Sequence, residues 1–246
     1  MANPVWDLLT RRLRTQGPAP ALTFLDSAGA RTELSSTSLE NAVAKIANAL
    51  GDEWGLEPGD RIAAYLPWHW QRIPWSLAAW SCGISLDVQG PCEQSSLTVC
   101  GPSEAPGLLA CGEEPVVISL HPFGLPITDL DPRCIDAASV VRMYGDHFAP
   151  PAIDKGLPSL SHVGQQFTIG EAIDYAAALI TERELAGPGR VVITNEYADS
   201  AIGYLLPPLA PLLGVGAALM VDSHLATDAA MVAMVAAEIG ANSKAL

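Results

Sequence analysis

Gly55-Leu56-Glu57-Pro58-Gly59-Asp60-Arg61-Ile62-Ala63-Ala64-Tyr65-Leu66-Pro67 is the stretch from which the fold can be read. Its glycine closes an amphipathic helical pattern, Pro58-Gly59-Asp60 supplies turn chemistry, and Arg61 to Leu66 is apolar enough for a strand covered on both faces. The order is helix, turn, buried parallel strand. Upstream, Leu39, Val43, Ile46 and Leu50 recur at intervals of three and four, so the preceding helix has one face to bury. Thr37 followed by Glu40 has the spacing of a capping box at its start. Downstream, Pro74 suits the first turn of a helix that runs to about Cys82, Gly83 stops it, and Ile84 to Val88 reads as the next buried strand.

The same reading extends in both directions. Pro4 to Arg14 forms a short amphipathic helix, and Ala21 to Leu25 with Arg31 to Leu34 forms an edge hairpin turned at Gly29. Strand-like runs follow at Leu97 to Cys100, Gly107 to Cys111 and Val116 to Leu120. The stretch from Gly145 to His162 holds Pro150, Pro151, Gly156 and Pro158 and few large apolar residues, which marks a long loop or linker. Beyond it, Thr168 to Glu184 carries Ile169, Ile173, Ala176, Ala177 and Ile180 on one helical face, and Gly187-Pro188-Gly189 turns the chain into a strand from Arg190 to Thr194. Ala198 to Leu213 reads as a helix up to its prolines, Ala217 to Val221 as a buried strand, and Asp228 to Ile239 as an alanine-rich helix. Alternation of this kind predicts an α/β fold, three-layer α/β/α with a mostly parallel sheet. The expected division is a first lobe over 1–148, a linker over 149–162 and a second lobe over 163–246, or one continuous domain over 1–246.

The totals exclude several function classes. The 246 residues carry 13 basic and 27 acidic side chains, a formal charge of -14 that repels phosphate backbones and anionic lipid, so no nucleic-acid or membrane partner is expected. Five cysteines (Cys82, Cys92, Cys100, Cys111, Cys134) have no C-x-x-C spacing and no histidine at a ligand interval, so no metal site is expected. An odd cysteine count without a secretory leader points to the cytoplasm. Asp129-Leu130-Asp131 reads as a solvated turn before Pro132 rather than as a metal ligand set. Gly214-Val215-Gly216 follows a helix and precedes a strand, the reverse of a dinucleotide fingerprint, so its glycines end a helix and admit close packing. Trp68, Trp70, Trp75 and Trp80 read as core anchors in preference to an aromatic cage.

The segment GLEPGDRIAAYLP resembles the one that reads GLKPGDRVAILLPN in the AMP-forming adenylating enzymes, which include acyl-CoA synthetases, luciferases and peptide-synthetase adenylation domains. Leu34, Leu39 and Gly83 fit the same pattern. The resemblance implies the fold of the N-terminal part of such an enzyme and, as ligand, AMP or ATP. It also implies a phosphate loop, T-S-G-T-T-G-x-P-K-G, where this chain has Ala149-Pro150-Pro151-Ala152-Ile153-Asp154-Lys155-Gly156; Ser161-His162 stands for the S-H that often follows. Prolines in place of glycines remove N–H donors, so the segment is not expected to hold a triphosphate. The family's aromatic-Gly-x-T-E segment, ribose-binding Asp and catalytic lid Lys have no counterpart in the sequence.

No catalytic residue is therefore assigned. Because ligands of open parallel sheets bind beyond the carboxyl ends of the strands, the candidate binding residues are Thr194 and Asn195, with Glu196, and Asp222 and His224, with Ser223. Asp222 and His224 are close enough to cooperate in acid–base work; the same residues also suit a polar loop that caps the following helix. The expected function is a catalytically degenerate relative that binds a nucleotide, an acyl-adenylate-like metabolite or a protein partner. Two alternatives stand beside it: half of an AMP-forming ligase completed by a partner chain, and a homo-oligomeric structural protein.

Overall fold

The computed structural model describes residues 2–88, 95–222 and 243–246. Helix α1 (Pro4–Gln16) starts where the Asn3 side chain accepts the Trp6 N–H, and it buries Val5 and Leu9. Strands β1 (Pro20–Leu25) and β2 (Arg31–Ser35) form the expected antiparallel hairpin, with Gly29 at φ 85° in its turn. Helix α2 (Ser36–Asp52) buries Leu39, Val43, Ile46 and Leu50. Its cap is Ser35, whose hydroxyl accepts the Ser38 N–H, and not Thr37. The reason is positional: Ser35 ends the hairpin in the extended conformation a cap needs, while Thr37 already lies in the first turn and donates to the Gly17 carbonyl at 3.0 Å.

Next come β3 (Arg61–Tyr65), α3 (Arg72–Ser81), β4 (Ser85–Asp87) and β5 (Leu97–Cys100). Gly83, at φ 73°, ends α3 as expected, and its carbonyl accepts the Gly59 N–H at 2.8 Å, which pins the start of β3 to the start of β4. Trp75 and Trp80 are fully buried, and the Trp80 indole donates to the Ser159 carbonyl at 2.8 Å, so both are core anchors. Residues 107–111, expected as a strand, lie instead in α4 (Ala105–Ala110) and its cap. Pro106 sets the first turn of that helix and Gly112, at φ 86°, follows its end.

The chain continues through β6 (Val116–Val117), β7 (Ile135–Asp136), α5 (Ala137–Val141), β8 (Pro158–His162), β9 (Gln165–Thr168) and α6 (Ile169–Glu182). Then follow β10 (Gly187–Thr194), α7 (Ala201–Leu209) with a 3-10 turn over Ala210–Leu213, β11 (Val215–Val221) and β12 (Ser243–Ala245). Two expectations are corrected here. Gly187-Pro188-Gly189 belongs to β10, as a register shift against β11, because Gly216 has no side chain to hold the strands apart: a Cβ there would stand 2.1 Å from the Pro188 carbonyl oxygen. Helix α7 runs through Pro207 and Pro208, whose missing N–H groups would have bonded to Gly203 and Tyr204; the backbone then tightens into the 3-10 turn. The helix expected over 228–239, together with Cys92, lies outside the described residues.

Two sheets result. One has the order β12-β10-β11-β1-β2 and is parallel except for β2; the other has the order β7-β6-β5-β3-β4-β8-β9 and is parallel except for β9. The mostly parallel α/β architecture is as expected. The hairpin is not at the edge on both sides, since β1 pairs in parallel with β11, Leu22 opposite Ala218. Sheet pairing also runs across the expected linker: residues 158–162 are β8, and β1 joins the strands that follow it. Helix α2 packs on β1 and β2 and α7 on β11, whereas α3 packs on β4 and α6 on β8 and β9. Because α2 touches α3 and α6 touches α7, one apolar core joins both sheets.

Candidate functional site

The carboxyl ends of β10 and β11 lie side by side, Thr194 opposite Val221. Asn195 and Asp222 are brought into contact: the Asn195 amide donates to the Asp222 carboxylate at 2.9 Å, and the Asp222 N–H donates to the Leu25 carbonyl at the end of β1. Thr194 is half-buried and leads into a 3-10 turn over Asn195–Tyr197. Glu196 is exposed. Ser223 and His224 lie outside the described residues, so no Asp222–His224 geometry enters the site.

The second sheet reaches the same place. After β3 the chain runs through Leu66 and Pro67 to Trp68, whose indole donates to the Val221 carbonyl at 3.1 Å and ties the strand ends of the two sheets together. Arg72, in the first turn of α3, is only 2% exposed. It donates to the carbonyls of Leu66 and of Ala198, the latter at 2.7 Å, and its guanidinium carbon stands 4.2 Å from the Tyr204 ring centroid and 5.5 Å from that of Trp68. Among the described residues no carboxylate forms an ion pair with it, and its Nε is buried without a hydrogen-bond partner. Burial lowers its pKa, against the opposing pull of Tyr204 and Asp199. Such a cation is costly to bury, and among the described residues ring faces and carbonyls are what compensates it by contact.

Around these groups lies a cavity of about 230 Å³, lined among others by Tyr65, Trp68, Arg72, Glu104, Asp199 and Tyr204. His162 approaches from β8: its Nε2 is 2.8 Å from the Asp199 carbonyl oxygen and its ring centroid 6.2 Å from that of Tyr204. The Tyr65 hydroxyl and the Glu104 Oε2 are buried with no hydrogen-bond partner among the described residues. The strand-end residues Thr194, Asn195 and Asp222 do not line this cavity, and the sequence reading did not single out Tyr65, Arg72, Glu104 and Tyr204, which do, nor Trp68 as part of a site. One signal was available: an arginine in the first turn of a helix that is apolar all round, two residues before Pro74, has no obvious solvent face.

The segment with Lys155-Gly156 is shaped by its own side chains. Asp154 accepts the Gly156 N–H at 2.7 Å, the Lys155 carbonyl accepts the Gly170 N–H at 2.8 Å, and Ile153 is buried against Gly83. The Lys155 side chain is exposed. Asp131 is occupied by Arg133, which bonds it at 2.8 and 3.0 Å and holds its carboxyl down at about 2. Gly214, at φ 103°, closes the 3-10 turn before β11. Cys82 and Cys100 are buried thiols pushed up to about 12, Cys82 by burial alone and Cys100 by burial with the charge of Glu104 beside it. Among the described residues no cluster of His, Cys, Asp and Glu is arranged to hold a metal ion, and no helix is long and apolar enough to cross a membrane.

No family model matches the chain. It is 31% identical over 218 residues to the TIGR03089 family protein of Mycobacterium tuberculosis, which covers 87% of this chain and 86% of that protein. Among solved structures it is similar to the acyl-CoA synthetase of Brucella canis, with a TM-score of 0.69 at 20% identity over 89% of this chain and 43% of the other. Apo MatB from Rhodopseudomonas palustris gives 0.63 at 17% identity, over 89% and 45%. The anthranilate CoA ligase AuaEII in complex with anthranoyl-AMP gives 0.69 at 14%, over 89% and 44%. The chain spans less than half the length of each of these three structures. The fold it shares with them is that of the N-terminal part of the adenylate-forming enzymes.

Proposed function

The chain belongs to the TIGR03089 family, and from that premise we propose that it uses an adenylate-forming fold to bind a small molecule without adenylating it. The observation that carries this reading is the conformation of residues 153–156. Where the adenylating enzymes it resembles present backbone donors to a triphosphate, Asp154 takes the Gly156 N–H and adds a negative charge of its own. Ile153 anchors the segment in the core, so moving it aside would expose apolar surface at a cost of about 2 kcal/mol. The junction of strand ends, by contrast, keeps the features of a small-molecule site: a concave lining, convergent polar groups and a buried cation. A reducing cytoplasm suits the free thiols of Cys82, Cys100, Cys111 and Cys134.

Two measurements on the purified protein test the proposal. Exchange of labelled pyrophosphate into ATP should remain at background with every carboxylic acid supplied, and exchange with any one of them would overturn it. Thermal unfolding in the presence of AMP, ATP, acyl-adenylate analogues and a panel of uncharged, anionic and cationic metabolites should rise with at least one, because a ligand of the folded state stabilises it. A melting temperature indifferent to the whole panel would remove the binding role.

A further inference from the structure

The cavity at the strand-end junction has a charge pattern that points to one ligand class, and the inference rests on reading that junction as the binding site. Among the described residues Arg72 is the only cation that lines it; its guanidinium donates to two carbonyls and lies against two ring faces, with Nε left unpartnered. Two carboxylates line it as well. Glu104 accepts the Ser103 hydroxyl at 2.9 Å on Oε1, which leaves Oε2 buried and without a donor among the described residues. Asp199 stands exposed at the rim. A carboxylate oxygen only accepts, so the group that completes Glu104 must be a donor, and beside two negative charges a cationic donor is favoured.

The rest of the lining agrees. Tyr65, Trp68 and Tyr204 supply aromatic surface, and ring faces attract ammonium groups once water is displaced. A phosphate or carboxylate would meet the two carboxylates of Glu104 and Asp199 against the single positive charge of Arg72, a lining of net negative charge among the described residues. The whole chain, at a formal charge of -14, draws cations and repels anions before contact. We propose that this cavity binds a small molecule through a protonated amino group, held by Glu104 and Asp199 among the rings of Tyr65, Trp68 and Tyr204.

Isothermal titration with three probes of similar size tests this: phenethylamine, L-phenylalanine and 3-phenylpropionate. Phenethylamine should bind and phenylpropionate should not; binding of phenylalanine as well would extend the class to amino acids. Glu104→Gln should weaken phenethylamine at least tenfold. Asp199→Asn, a change at an exposed side chain that leaves the fold intact, should weaken it about threefold. Both variants should melt within about two degrees of the parent. Failure of phenethylamine and of a panel of further primary amines, while AMP or an acyl-adenylate analogue binds, would overturn the amine assignment and leave the proposed function standing. Failure of every ligand would overturn both, and equal affinity in the parent and Glu104→Gln would overturn the placement of the amine.

Discussion

His69 is 5% exposed, edge-on to Phe24 with ring centroids 5.1 Å apart, and its Nδ1 accepts the Gln71 N–H at 3.4 Å. Burial lowers its pKa to about 4, from the ordinary 6.5 of a histidine. The imidazole is thus neutral in the folded protein through a range where the unfolded chain binds a proton. Its contribution is complete above pH 6.5 and is lost as pH falls towards 4, a change of about 3 kcal/mol if fully expressed. Urea midpoints measured between pH 7 and 4 should fall more steeply for the parent than for His69→Phe; parallel profiles would count against a buried neutral imidazole. Gly216→Ala should destabilise by about 2 kcal/mol or more in the same assay, since its Cβ would meet two backbone carbonyls that cannot rotate away. Of these two residues, one was legible. Gly216 sat in a glycine pair before a strand, which already implied close packing, whereas nothing near His69 in sequence separates a buried histidine from a solvated one. Arg72 was obscured for a related reason, because its compensation comes from Ala198 and Tyr204, far away along the chain.

Single elements were read well wherever their signal was local. Helix α6 begins with a full capping box: Thr168 accepts the Glu171 N–H, and Glu171 accepts the Thr168 N–H at 2.8 Å. Thr168→Ala should therefore cost about 1 kcal/mol in the urea midpoint, and Thr168→Ser much less. The Thr37–Glu40 spacing has the same form yet does not cap, because the hairpin before it fixes Ser35 as the residue that enters α2. Helix α4 was misread as a strand for want of length: six residues carry too little periodicity to tell the two apart. Long-range ties are less legible still. Arg12 of α1 donates to the carbonyls of Pro20, Pro211, Val215 and Gly216 and to the Ser36 hydroxyl, so one side chain fastens the starts of β1, β11 and α2. In sequence it is one of three arginines near the end of an amphipathic helix. Arg12→Met should destabilise by about 3 kcal/mol or more, because it orphans buried carbonyls as well as removing a charge, and the loss should exceed that of Arg14→Met by a wide margin.

At the scale of the molecule, the two sheets share helices and are tied where Trp68 bonds to Val221. Unfolding should be a single transition. Tryptophan fluorescence, dominated by residues around α3, and far-ultraviolet circular dichroism should give one urea midpoint, and separated midpoints would mean that the sheets melt independently. The α/β class was legible because helix and strand alternate; the existence of two sheets was not, because sheet membership depends on pairings that no local pattern records. The candidate cavity shares that limit: the strand-end rule pointed to Thr194, Asn195 and Asp222, whereas the lining comes from residues far apart in the sequence, such as Arg72, Glu104 and Tyr204. The parallel pairing of β1 with β11 carries a further consequence, for synthesis on the ribosome. β1 emerges first and its partner roughly 200 residues later, which at ordinary elongation rates is an interval of about 10 to 40 s. During that time one flank of the nascent hairpin is an unpaired strand edge bearing Leu22 and Phe24. The yield of correctly folded chain should then respond to elongation speed and chaperone supply, even for variants whose finished structures are equally stable.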